Sequence, residues 1–202
     1  RLHLAHISTV GSVRMVREAK SRGLKVTAEA CPHHFTITEE VVRGYNTYAK
    51  MNPPLRTWKD VQAIKEGLRD GTIDVIATDH APHATQEKQL GFTEAPFGIV
   101  GLETALPLTF ALVDEGVLSL EAAVDRLSTA PAKVFGLSKG TLAVGVDADV
   151  VIVDQQEQWE VDPAKFRSKS RNTPFAGWKV KGRVTTTIVG GRVVFKAGVA
   201  EP

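Results

Sequence analysis

The sequence predicts an α/β fold made of parallel βα units, with a smaller β element after them. Two observations carry this. Up to about residue 115, short apolar runs alternate with stretches of helical period, the signature of parallel βα repeats. Beyond about residue 138, strand-like segments without helices take over. Three βα units are too few to close an eight-stranded barrel, but they fit the end of one. The expected architecture is thus the C-terminal part of a (β/α)8 barrel over residues 1–138, followed by strands of a small β-sandwich over residues 139–202.

The elements follow in order. Leu2 to Ser8 alternates apolar and polar residues and reads as a strand. Val10 to Arg22 places Val10, Val13, Val16 and Ala19 at helical spacing and stops at Gly23. Leu24 to Ala30 is the next strand and runs into Cys31-Pro32-His33-His34. Thr57 opens a second helix, with Asp60 in its first turn, a stripe of Val61, Ile64 and Leu68, and Gly71 at its end. Asp74 to Thr78 is a third strand, leading into Asp79-His80-Ala81-Pro82-His83. A longer helix is expected from about Gly101 to Asp114, then two short ones, Leu120 to Leu127 capped by Ser119 and Pro131 to Phe135 closed by Gly136. In the tail, Val150 to Val153 reads as a strand and Thr185 to Phe195 as a hairpin about Gly190-Gly191. Asp154 to Arg183 is polar and shows few clear periods.

Composition narrows the function. The 202 residues carry 25 Lys+Arg against 23 Asp+Glu, a formal charge of +2, which provides no field for holding nucleic acid or an anionic membrane. The longest apolar runs are strand-sized, far below the roughly 20 residues of a spanning helix. The single cysteine, Cys31, excludes a disulfide framework within the chain and fits a reducing, cytoplasmic setting. The chain opens on Arg1 and enters an apolar alternation at once, so it reads as the C-terminal part of a longer protein.

Five of the six histidines, His6, His33, His34, His80 and His83, lie at or just beyond the C-terminal end of an expected strand, the end that faces the active site in (β/α) barrels. His6 and Asp79 occupy equivalent points on the first and third strands, and imidazole with carboxylate is a common way to hold Zn²⁺. The residues alone leave a metal site and a set of hydrogen-bonded structural histidines equally open. Asn52-Pro53-Pro54-Leu55-Arg56 can be a rigid loop and Phe97-Gly98 an ordinary turn. Cys31 reads as structural.

In order along the chain stand Ala5-His6-Ile7-Ser8-Thr9, Thr27-Ala28-Glu29-Ala30-Cys31-Pro32-His33-His34, Asn52-Pro53-Pro54-Leu55-Arg56 and Ala77-Thr78-Asp79-His80-Ala81-Pro82-His83. Glu87-Lys88, Phe97-Gly98, Gly101-Leu102-Glu103-Thr104, Gly145-Val146-Asp147-Ala148-Asp149 and Ser170-Arg171-Asn172-Thr173-Pro174-Phe175 follow. Taken together these resemble the C-terminal half of the bacterial class I dihydroorotases of the amidohydrolase superfamily. The resemblance implies that His6 is a zinc ligand on the sixth barrel strand and that Asp79, on the eighth, is both a zinc ligand and the general acid/base. It implies substrate-binding roles for Asn52, His83, Phe97 and Gly98, and supporting roles for His33, His34 and His80. The family's early His-x-His pair, its substrate-binding arginine, its bridging acidic residue and its other metal histidine belong to earlier strands and have no counterpart here.

The activity so implied is the reversible cyclisation of N-carbamoyl-L-aspartate to L-dihydroorotate in pyrimidine biosynthesis. It would use metal-activated hydroxide, one or two Zn²⁺ ions per complete subunit, and Asp79 as proton carrier. The same resemblance implies a small-molecule substrate, a homodimer and an association with aspartate transcarbamoylase as partners. Two alternatives stay open: another cyclic amidohydrolase such as an allantoinase or dihydropyrimidinase, and a non-catalytic subunit that scaffolds aspartate transcarbamoylase. The isolated chain is expected to be inactive.

Overall fold

A computed structural model of the chain describes residues 1–198. It opens with β1 (Leu2–Leu4), α1 (Val10–Ser21), β2 (Val26–Ala30), the short α2 (Pro32–Thr36), α3 (Trp58–Arg69) and β3 (Val75–Ile76). The three strands form one parallel sheet in the order β1-β2-β3, with Leu2 opposite Val26 and Glu29 opposite Val75. Both outer strands are shorter than the sequence predicts, for a local reason. His6 and Asp79, just past the ends of β1 and β3, have φ of 52° and 47°, and a left-handed residue ends an extended run.

Thr9 caps α1, its Oγ1 accepting the Ser12 N–H at 3.1 Å. Thr57 precedes α3, but its hydroxyl donates to Asp60 Oδ2 at 2.6 Å instead of capping the backbone. Asp60 Oδ1 in turn accepts the Val10 N–H at 2.9 Å, which ties the first turn of α3 to that of α1. Val13 and Val16 from α1 meet Ile64 and Leu68 from α3 and Ala28 and Ala30 from β2 in one buried cluster beneath the sheet. Each of these Val, Ile and Leu side chains removed from water contributes about 1.5–3 kcal/mol.

Next come α4 (Thr85–Lys88), α5 (Leu102–Asp114), α6 (Leu120–Val124) and α7 (Ala130–Phe135). The last two were expected to be separate helices. They are instead joined through a wide π turn over Asp125–Thr129, where Pro131, which lacks an N–H, is accommodated. Gly136, at φ 69°, ends α7 as expected.

The tail forms a second sheet of β4 (Val150–Glu160), β5 (Lys179–Val189) and β6 (Arg192–Lys196), antiparallel in that order. Both long strands run well into the stretch whose polarity gave no period. This sheet lies largely open to solvent, so Gln156, Glu157 and Gln158 lose nothing by facing water. Val161, Phe166 and Phe175 fold back into a second buried cluster with Ile37, Met51, Leu55, Ile99 and Leu108. Gly182 of β5 lies so close to α5 that a Cβ there would sit 2.5 Å from Phe110 Cδ2. No helix among the described residues is long and apolar enough to cross a membrane.

Candidate active site

Because the three strands are parallel, their C-terminal ends open on one side, and His6, Cys31 and Asp79 lie just past those ends. His6 and Asp79 both hold backbone conformations that non-glycine residues avoid, at a cost of about 1–3 kcal/mol each. What this geometry achieves is convergence: His6 Nε2 and Asp79 Oδ1 lie 3.7 Å apart, both side chains partly exposed. Two donors bound to one Zn²⁺ at about 2.0–2.1 Å in a tetrahedral shell stand roughly 3.3 Å apart, so the pair fits a shared divalent cation with little adjustment.

Glu29, buried on β2, organises this pair from behind. Its Oε2 bonds His3 Nε2 at 2.9 Å, and His3 Nδ1 bonds the Thr27 hydroxyl at 2.8 Å. Its Oε1 lies 2.8 Å from His6 Nδ1. A carboxylate beside Nδ1 favours the proton on that nitrogen, which leaves the Nε2 lone pair aimed at Asp79. Burial raises the Asp79 carboxyl above its ordinary value; the nearby His6 opposes this shift and Glu29 adds to it.

Cys31, His33 and His34 form a second cluster, all buried, with one donor atom from each within 4.8 Å of the others. Cys31 Sγ is also 3.3 Å from His6 Nδ1, a contact compatible with the structural reading of Cys31. Burial pushes the thiol strongly upward, with Asp79 and Glu29 adding to the effect. Burial likewise lowers His33 well below its ordinary value and His34 to about 4, so both rings are neutral. His34 Nε2 donates to Pro53 O at 2.9 Å, bracing the loop that begins at Asn52. His80 Nδ1 accepts the Gly101 N–H at 3.1 Å at the start of α5.

Of the expected substrate residues, the structure brings His83, Phe97 and Gly98 together. His83 Nε2 donates to Phe97 O at 2.8 Å, and the Gly98 N–H donates to Lys50 O at 2.9 Å. Gly98 has φ of 119°, and a Cβ there would collide with that of Ala81. Asn52, two residues beyond Lys50, is exposed, and its side chain makes no hydrogen bond among the described residues. Asn172 joins the group from the tail: its Oδ1 accepts the His83 N–H at 3.2 Å, and its Nδ2 donates to Ala81 O at 2.9 Å and Gly98 O at 3.1 Å. Sequence reasoning assigned no role to Asn172, His3 or Glu29, although Asn172 and Glu29 stand inside quoted motifs. A cleft of about 910 Å³ between α5 and the tail sheet, lined by Trp159, Phe166 and Phe195 among others, includes none of the candidate ligands.

The profile of the amidohydrolase family matches residues 2–194. The chain is 58% identical over 197 residues to a dihydroorotase of Geobacter sp. (strain M21), covering 98% of this chain and 46% of that relative. It is also 58% identical over 197 residues to a dihydroorotase of Pelotomaculum thermopropionicum, again covering 46% of the relative. It therefore spans about half the length of the curated relatives it matches. Among solved structures, the L-hydantoinase (dihydropyrimidinase) from Arthrobacter aurescens superposes with a TM-score of 0.92 at 36% identity, covering 100% of this chain and 46% of that one. The dihydropyrimidinase from Brevibacillus agri NCHU1002 gives 0.92 at 30% identity, covering 97% and 45%.

Proposed function

Because this chain belongs to the amidohydrolase family, we propose that the full-length protein is a dihydroorotase. It would interconvert N-carbamoyl-L-aspartate and L-dihydroorotate in the cytoplasm, within pyrimidine biosynthesis. The observation that carries the reading is the 3.7 Å approach of His6 Nε2 to Asp79 Oδ1 at the open ends of parallel strands. The dihydroorotase relatives at 58% identity, against 36% for the hydantoinase, support this ring over a hydantoin or dihydropyrimidine. In the same reading, residues 1–138 belong to a (β/α)8 barrel and residues 139–202 to a small β-sandwich. A homodimer and an association with aspartate transcarbamoylase belong to the reading as well.

His6 Nε2 and Asp79 would hold the cation, in our reading Zn²⁺. Such an ion brings the pKa of a coordinated water toward neutrality and polarises a carbonyl oxygen. The remaining work falls to side chains of this chain. Asp79 takes a proton at its carboxylate in the hydrolytic direction and delivers it to the leaving ring nitrogen; on cyclisation it returns it, by microscopic reversibility. Glu29 keeps the His6 ring in the tautomer and orientation that the cation requires. Asn52, His83 and the backbone of Phe97 and Gly98 hold the ring.

The test compares substrates on purified full-length protein with zinc added. We expect turnover of L-dihydroorotate at least about 100-fold faster than of dihydrouracil, hydantoin or allantoin. A preference for one of the neutral rings would replace this reading with the other cyclic-amidohydrolase one. No turnover in a protein that co-purifies with aspartate transcarbamoylase would establish the scaffolding subunit instead.

A further inference from the structure

A lysine is seldom buried, and when it is, a carboxylate usually accompanies it. Lys88 is 1% exposed and Lys50 is 8% exposed, yet both ammonium groups are held by neutral backbone carbonyls. Lys88 Nζ donates to Pro96 O at 2.9 Å and Gly98 O at 3.1 Å. Lys50 Nζ donates to Phe92 O at 2.6 Å, Thr93 O at 3.2 Å and Ala95 O at 2.5 Å, and stands 4.6 Å from the centre of the Phe97 ring. All five acceptors fall within residues 92–98, a segment with no helix or strand to satisfy its own carbonyls. An ammonium carries three donors, so two of them can bind this whole run.

The consequence concerns what the segment presents. Gly98 O is taken by Lys88 and Asn172, Phe97 O by His83, and the Gly98 N–H by Lys50 O. Among the described residues, the Phe97 N–H is the one polar backbone group of this pair without a partner, and Phe97 is half exposed. We propose that Lys50 and Lys88 are positioning residues that clamp residues 92–98 so that the Phe97 N–H is presented as a donor to an oxygen of the substrate. This rests on the reading of Phe97 and Gly98 as substrate-facing.

The experiment uses full-length Lys88→Met and Lys50→Met proteins, each read by hydrogen exchange and by kinetics. The Glu94, Ala95 and Gly98 amides, bonded to Gly91 O and Lys50 O, report on the segment. Amides of α3 report on the fold. We expect the segment amides to exchange at least about 10-fold faster while α3 stays protected. KM for L-dihydroorotate should rise at least about 10-fold, with kcat and zinc content within about threefold of the parent. Unchanged segment exchange, or faster exchange with unchanged KM, would overturn the clamp. Where a methionine variant loses α3 protection, Lys→Gln at the same position, which keeps two N–H donors but loses the charge and the reach, is read instead; wild-type exchange together with an unchanged KM there would also overturn it. If the parent itself does not turn over L-dihydroorotate, the functional reading fails, and segment exchange alone then decides whether the lysines hold residues 92–98.

Discussion

Replacing Glu29 by glutamine is the perturbation that bears most directly on how the metal pair is prepared. The carboxylate contacts His3 Nε2 at 2.9 Å on one oxygen and lies 2.8 Å from His6 Nδ1 on the other. Glutamine keeps the shape but offers only one accepting oxygen. If that oxygen stays with His3, the amide NH₂ faces His6 Nδ1 and forces that nitrogen to be unprotonated. The His6 proton then moves to Nε2, where it blocks the lone pair needed for the cation. If the amide turns over, His3 loses a charge-assisted bond of about 1.5–3 kcal/mol in a half-buried position. In the first orientation the full-length variant should bind zinc about 10- to 100-fold more weakly, which is about 1.4–2.7 kcal/mol; in the second the loss falls on stability and shows as a lower melting temperature. Chelator competition measures this directly, and saturating zinc should return kcat to within about threefold. Zinc affinity within twofold of the parent, in a variant with unchanged melting behaviour, would refute the argument that Glu29 sets the His6 tautomer.

Other expectations follow from packing and charge. Gly182→Ala places a methyl against Phe110 at a residue with φ of 98°, so it should cost about 2–4 kcal/mol in denaturant unfolding; a loss below 0.5 kcal/mol, on the order of measurement error, would show that α5 and β5 adjust freely. Burial, with the charge of Lys50 adding to it, lowers Lys88 from 10.5 to about 8. Between those pH values the unfolded chain holds a proton that the folded one has released, so stability should rise with pH across that window. Lys88→Met should flatten that rise, and an unchanged pH slope would count against a buried, depressed Lys88. The 202-residue chain alone should show no turnover of L-dihydroorotate with added zinc, because His6 and Asp79 supply only two ligands; measurable turnover would show that two suffice.

Much of the fold was legible where periodicity is strong. The stripe of Val10, Val13 and Val16 located α1 to within a residue, because a buried face demands that spacing. Lengths at the strand ends were not legible, since nothing in the letters reveals that His6 and Asp79 turn left-handed. The tail strands extend through polar residues because few of their side chains are buried, so no alternation was required of them. For the candidate site, the convergence of His6 and Asp79 was readable from their equivalent positions after strands, while a ligand role for either was not. The buried lysines were not, because a lysine ordinarily faces water, and only the tertiary path of residues 92–98 gives Lys50 and Lys88 their acceptors. Asn172 was hidden for the same reason: it reaches His83 across 89 residues of sequence.

The most direct test of the account is zinc content and kcat measured on one preparation of full-length Asp79→Asn protein. If Asp79 only ligates the cation, excess zinc restores most of the rate. If it also carries the proton, the amide cannot replace it, and kcat stays down by roughly 10²-fold or more at full zinc occupancy, the usual scale for a lost general acid/base. The account predicts the second result; near-normal kcat at full occupancy would contradict it.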